Sequence, residues 1–168
     1  MTFELKRLSA AALPRALELA EHYRLLNEPW PAESICLDIL AVEATHQQAL
    51  TVLLRAYCDQ FAHDTGGAVQ RAKDALALLT DAYERAYYAG LILERRAKAR
   101  LDQRAPGAGF VAYEWLREAM SWYEKAEALR PPGNDAALLR WNTCARMLNE
   151  RPDIVPRGEE ERGDTLGE

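Results

Sequence analysis

A chain of 168 residues with a net charge of −5 holds enough material to bury a core without disulfide or metal staples. Hydrophobic residues make up 49% and charged residues 28%, with 9 Gly and 8 Pro, which excludes collagen-like, low-complexity and wholly disordered readings of the main body. The acidic balance removes general attraction for a nucleic-acid backbone or an anionic membrane surface, so nucleic acid is not an expected partner.

Alanine and leucine dominate, and apolar residues recur at three- and four-residue spacing between breakers, which predicts an all-α protein. Ser9 followed by Pro14 opens a first helix to about Leu26, ended by the turn Asn27-Glu28-Pro29-Trp30-Pro31. A second helix runs from Pro31 to about Glu43. Thr45 is the expected cap of a third, about His46 to Ala62, and Thr65-Gly66-Gly67 breaks the chain before a fourth. Asp81 caps a fifth helix from about Ala82 to Gln103, and the glycine-rich break Arg104-Ala105-Pro106-Gly107-Ala108-Gly109 precedes a sixth, about Phe110 to Arg130. The turn Pro131-Pro132-Gly133-Asn134-Asp135 leads into a seventh, about Ala136 to Asn149. Residues 1–150 read as one helical domain and 151–168 as a disordered acidic tail, whose six acids and three arginines carry −3 of the net charge.

The longest uncharged apolar run, Ala86 to Leu93, is far short of the roughly 20 residues of a membrane-spanning helix. Glu4, Lys6 and Arg7 interrupt the place where a signal peptide would have its apolar block. A cytoplasmic protein with no membrane insertion is expected, with Cys36, Cys58 and Cys144 as buried free thiols.

The chain also repeats itself. Ala16, Leu19, Ala20 and Tyr23 return 34 residues later as Leu50, Leu53, Leu54 and Tyr57, as they would where helix pairs stack and the same contact positions recur. This period, with Ala32-x-x-x-Cys36, then Ala68 and Ala72, then Ala119, Tyr123, Ala126 and Pro131 in second-helix places, resembles the tetratricopeptide repeat (TPR) family. Leu138, Trp141 and Asn142 begin a half unit in the place of a capping helix. The resemblance implies an antiparallel helix-pair solenoid with a right-handed superhelix, about three divergent repeats, and a concave groove for a peptide or helix of a partner protein. Leu54 stands where the family has a small residue and Ala44 where it has proline. Helices five and six, at about 20 residues each, exceed the family's usual length and predict an elongated hairpin.

Carried across residue by residue, the family's ligand positions fall on Leu17, Glu21 and Arg24, on Thr51, Arg55 and Asp59, on Tyr87, Leu91 and Arg95, and on Leu139, Thr143 and Arg146. Arg24, Thr51, Arg55, Tyr87, Arg95, Thr143 and Arg146 are the expected partner-binding residues, with Arg55, Arg95 and Arg146 aligned to receive an acidic segment through their guanidinium forks. The lysine and asparagine set by which some family members clamp a C-terminal carboxylate is not reproduced.

Other constellations are weaker. Glu43-x-x-His46 has the spacing of half a di-iron motif, but it occurs once and straddles a turn. His63-Asp64 beside a glycine pair has no nucleophile in a recognisable context, and the glycines at 107 and 109 follow no strand. No catalytic residue, metal or cofactor is expected. Trp115 lies on the apolar stripe of the sixth helix, Tyr113 and Met120 fall beside it as contact candidates, and Trp30 is placed to staple the first two helices. The first expectation is a non-catalytic interaction adaptor; bacterial secretion chaperones with three TPRs are similarly small and acidic, which makes a small cytoplasmic chaperone a subclass. The alternative is a structural subunit, assembly factor or homodimer joined through the helix five/six hairpin.

Overall fold

The computed structural model describes residues 1–63 and 67–158. Among these the protein is all-α: a short 3-10 turn, Ala10–Ala12, is followed by α1 (Leu13–Leu25), α2 (Pro29–Val42), α3 (Gln47–Cys58), α4 (Ala68–Ala77), α5 (Ala82–Asp102), α6 (Ala108–Leu129) and α7 (Ala136–Glu150), with no strand. No described helix is long and apolar enough to cross a membrane. The described positions divide into two compact units, Met1–Arg85 and Ala86 onward, with the boundary inside α5; the sequence suggests no division at this point, because one helix runs through it.

The helix ends follow local chemistry. Asn27, at φ 61°, takes up the reversal between α1 and α2, so α2 starts at Pro29, two residues earlier than expected, with prolines in its first turn where no amide donor is needed. His46, not Thr45, caps α3: its Nδ1 accepts the Ala49 amide at 3.1 Å. Asp81 does the same for α5, accepting from the Glu84 amide at 2.9 Å. Gly107, at φ 73°, absorbs the turn before α6, which lets that helix begin two residues before Phe110.

In the first unit α1 packs on α2, α2 on α3, α3 on α4, and α1 also reaches α3. Helix α3 is therefore covered on several sides, and every residue from Ala49 to Cys58 is buried except Arg55. Fully covered alanines, Ala20, Ala32, Ala49, Ala56 and Ala72, allow the helices to approach closely around Ile39, Leu50 and Leu54. Gln47 ties the end of this stack: its Oε1 accepts from the Thr80 amide at 2.9 Å and its Nε2 donates to the Leu78 carbonyl at 3.3 Å.

In the second unit α6 packs on α7 through the stripe Ala112, Leu116, Ala119, Tyr123 and Ala126, all fully buried. Gly90 of α5 lies against the Tyr123 ring, where an added Cβ would come within 2.7 Å of Cε1. Arg96 stacks over Trp115 at 4.2 Å, which leaves Trp115 half-buried beneath a cation and not in the core proper. Met120, expected at the surface, is buried at 3% exposure, because the buried side of α6 is wider than a single stripe. Trp30 is 67% exposed and staples nothing. Of the sequence-predicted tail, 151–158 is described and 159–168, with Glu159–Glu161, lies outside the described residues. Ile154 is buried at 3% exposure, and the Asp153 carbonyl packs onto Gly109, where a Cβ would collide with it.

Candidate functional site

The first unit carries a cleft of about 520 Å³ between α1 and α3. Its apolar part is Leu17, Leu25 and Val52; its charged part is Glu18, Glu21 and Arg55; His22, Gln48 and Thr51 complete it. Facing residues are related by the sequence period: Leu17 and Thr51, Glu18 and Val52, and Glu21 and Arg55 are each 34 positions apart. One helical turn of α1 and the equivalent turn of α3 thus form opposite sides of one depression. Leu25, at 71% exposure, closes one end and continues along the chain into exposed Leu26 and Trp30.

Four of the expected ligand-facing residues, Leu17, Glu21, Thr51 and Arg55, meet in this cleft. Arg55 is already engaged: its two terminal nitrogens donate to the two Glu21 oxygens at 3.3 and 3.1 Å, and its Nε donates to the Thr51 carbonyl at 3.3 Å. Arg24 donates to Asp59 at 3.3 Å and lies 3.6 Å from Glu21. An acidic ligand would have to displace Glu21 to reach Arg55, and the lining sets two carboxylates against one guanidinium. Beyond Arg55, burial and then Asp81 raise the Glu84 carboxyl above its ordinary value, with Arg55 opposing them. Thr51 is nearly covered, its hydroxyl donating to the Gln48 carbonyl at 2.8 Å.

Tyr87, Arg95, Thr143 and Arg146 belong to the second unit. The Tyr87 ring packs against Tyr88 and Tyr123, with centroids 5.1 and 5.9 Å away, and Arg95 is half-buried on α5. Thr143 and Arg146 are exposed on α7, with the Thr143 hydroxyl donating to the Leu139 carbonyl at 3.0 Å. Leu91 is core at 2% exposure, whereas Leu139 is 62% exposed.

Sequence reasoning missed a closed polar cluster in this unit. Glu94 is fully buried; one oxygen accepts from Arg140 at 2.9 Å and Lys98 at 3.4 Å, and the other accepts from the Cys144 thiol at 3.4 Å. Burial works against the Arg140 charge, but Glu94 and a hydrogen bond to Tyr87 outweigh it and hold the guanidinium protonated. Burial and then Glu94 push the Cys144 thiol up to about 12 and raise the neighbouring Tyr123 phenol. A thiol held this far above its ordinary range is protonated at neutral pH and a poor nucleophile. The signal in the sequence was a carboxylate on the stripe Ala86, Gly90, Glu94, Ala97. In the first unit burial and then Glu21 likewise push Cys36 up to about 12. His46 is occupied as a cap, and among the described residues no group of three His, Cys, Asp or Glu side chains is placed to hold a metal ion. Asp64, the partner read beside His63, lies outside the described residues.

Comparison of the chain with protein-family models, curated proteins and solved structures returns no match to any of them.

Proposed function

We propose that the chain is a non-catalytic, TPR-like helical-repeat adaptor of the cytoplasm that binds a short segment of a protein in the cleft between α1 and α3. The observation that carries this reading is the 34-residue offset of the facing side chains, Leu17 with Thr51, Glu18 with Val52, and Glu21 with Arg55. The packing order of α1 to α4, with each pair of consecutive helices in contact and α1 also on α3, is what stacked helix pairs of a solenoid require. Binding energy would come from apolar anchors over Leu17, Leu25 and Val52, while the paired Glu21 and Arg55 fix orientation. A small chaperone of the same architecture is the finer form of this reading.

The test selects binding peptides from a random display library with the purified chain and measures their affinities for wild type and for Leu25→Asp/Gln48→Arg. Both substituted side chains are exposed, so helicity by circular dichroism should be unchanged. A loss of at least about tenfold in affinity supports the cleft; selected peptides that bind both proteins equally well refute it.

A further inference from the structure

We propose that the α1/α3 cleft is filled by the N-terminal arm of a second copy of this chain, so that two copies exchange residues 3–8 in a symmetric dimer. This rests on the cleft being the binding surface and names its occupant.

Residues 1–9 precede the 3-10 turn with neither helix nor strand. Phe3 and Leu5 in this arm are 81% and 85% exposed. In an extended segment, residues two apart share a face, so Phe3 and Leu5 form one apolar pair, followed by the cations Lys6 and Arg7. Single exposed apolar residues are ordinary on a protein surface; a large apolar pair on one face, carried by a segment outside regular structure, is a ready ligand. Leu8 is different: it packs on the cluster of Leu13, Ala16, Ile39 and Ala49. That contact roots the arm and leaves residues 3–7 as the projecting part.

The cleft offers the complementary chemistry. Leu17, Leu25 and Val52 present apolar surface, and the acidic groups Glu18 and Glu21 outnumber Arg55 among the lining charges, with Glu84 adding to them beyond Arg55. The arm carries two cations against the single carboxylate of Glu4, so the two charge patterns attract. A volume of about 520 Å³ is enough to take a phenylalanine and a leucine side chain together. Leu17 packs on the same cluster as Leu8, yet within one chain Phe3 and Leu5 remain in solvent. A second copy supplies what buries them. Each copy brings one arm and one cleft, so reciprocal exchange closes as an isologous pair with no site left for further growth.

The experiment is sedimentation equilibrium of the full chain over a range of concentrations, for wild type, an arm variant (Phe3→Asp/Leu5→Asp) and a cleft variant (Leu25→Asp/Gln48→Arg), with circular dichroism confirming equal helicity. The expected result is a wild-type dimer weakened at least about tenfold by either variant. Mixing the two variants, one with an intact cleft and the other with an intact arm, restores association. A wild type that stays monomeric up to about 100 μM overturns the exchange, as does a dimer that survives both variants. If wild type is monomeric while its selected library peptides still lose affinity for the cleft variant, the arm is not the occupant and the cleft remains a binding surface. If an arm substitution alters peptide affinity in a monomer, the arm folds onto its own cleft and the second copy is refuted.

Discussion

Replacing Gly90 with alanine sets two opposing free energies against each other inside α5. Alanine is favoured over glycine in a helix interior by about 1 kcal/mol. At this position, however, the new Cβ would sit 2.7 Å from Cε1 and 2.9 Å from Cδ1 of Tyr123, whose side chain is completely buried and cannot swing out to solvent. Forcing a methyl group into a packed core costs about 1–3 kcal/mol. The steric term wins, and Gly90→Ala is expected to destabilise the second unit by about 1 kcal/mol net. In a Tyr123→Leu background the ring is gone and a flexible side chain can yield, so the same alanine should stabilise by nearly its full helix preference. The coupling between the two positions is then about 2 kcal/mol. Urea unfolding followed by tryptophan fluorescence measures it, in a Trp30→Phe background so that Trp115, Trp122 and Trp141 all report on the second unit. Equal stabilisation by Gly90→Ala with and without the tyrosine would refute the packing argument.

The same assay tests the buried carboxylate. Glu94→Ala leaves Arg140 and the Cys144 thiol without their partner and should cost about 2–4 kcal/mol, with Glu94→Gln losing less because it keeps an acceptor; wild-type stability for the alanine variant would contradict this. The thiols of Cys36 and Cys144, held up to about 12 by burial, should resist a disulfide reagent at pH 8 in the folded protein and react once it is unfolded. Because the folded state retains these protons above the ordinary value of 9.0, their contribution to stability is complete below about pH 9 and declines as pH rises toward 12. Stability that increases across that window on thiol titration would show the sign to be wrong. Gly109→Ala pushes a methyl group into the Asp153 carbonyl, so amide exchange at 151–154 should accelerate while that of α7 is retained; unchanged exchange there would mean that Gly109 does not seat this segment.

The helices were legible because their boundaries are set locally: prolines and glycines interrupt an apolar period of three and four, and Asp81 lies where a capping carboxylate is needed. Caps that depend on less usual chemistry were not, as His46 shows by displacing its neighbour Thr45. The repeat offset proved informative at the site, since positions 34 apart in the chain, such as Glu21 and Arg55, face one another across the cleft. The charge state of that site was misjudged. Arg55 looks available when only the arginines are aligned, and its occupation becomes evident only once α1 and α3 are side by side. Glu94 was hidden for a related reason. A carboxylate in a run of Glu-Arg-Arg reads as solvated, and only Arg140 and Cys144, some 50 residues later on α7, make its burial affordable. The seating of Ile154 likewise depends on a glycine 45 positions earlier, by subtraction of their numbers.

The central claim is that the cleft between α1 and α3 is the binding surface. It is tested most directly by NMR chemical-shift mapping of the labelled full chain on titration with a selected library peptide. The account predicts perturbations concentrated at Leu17, Glu18, His22, Leu25 and Gln48 and saturating with a single affinity. Perturbations confined to the exposed face of α7 around Leu139, Thr143 and Arg146, or absent from α1 and α3, would contradict it.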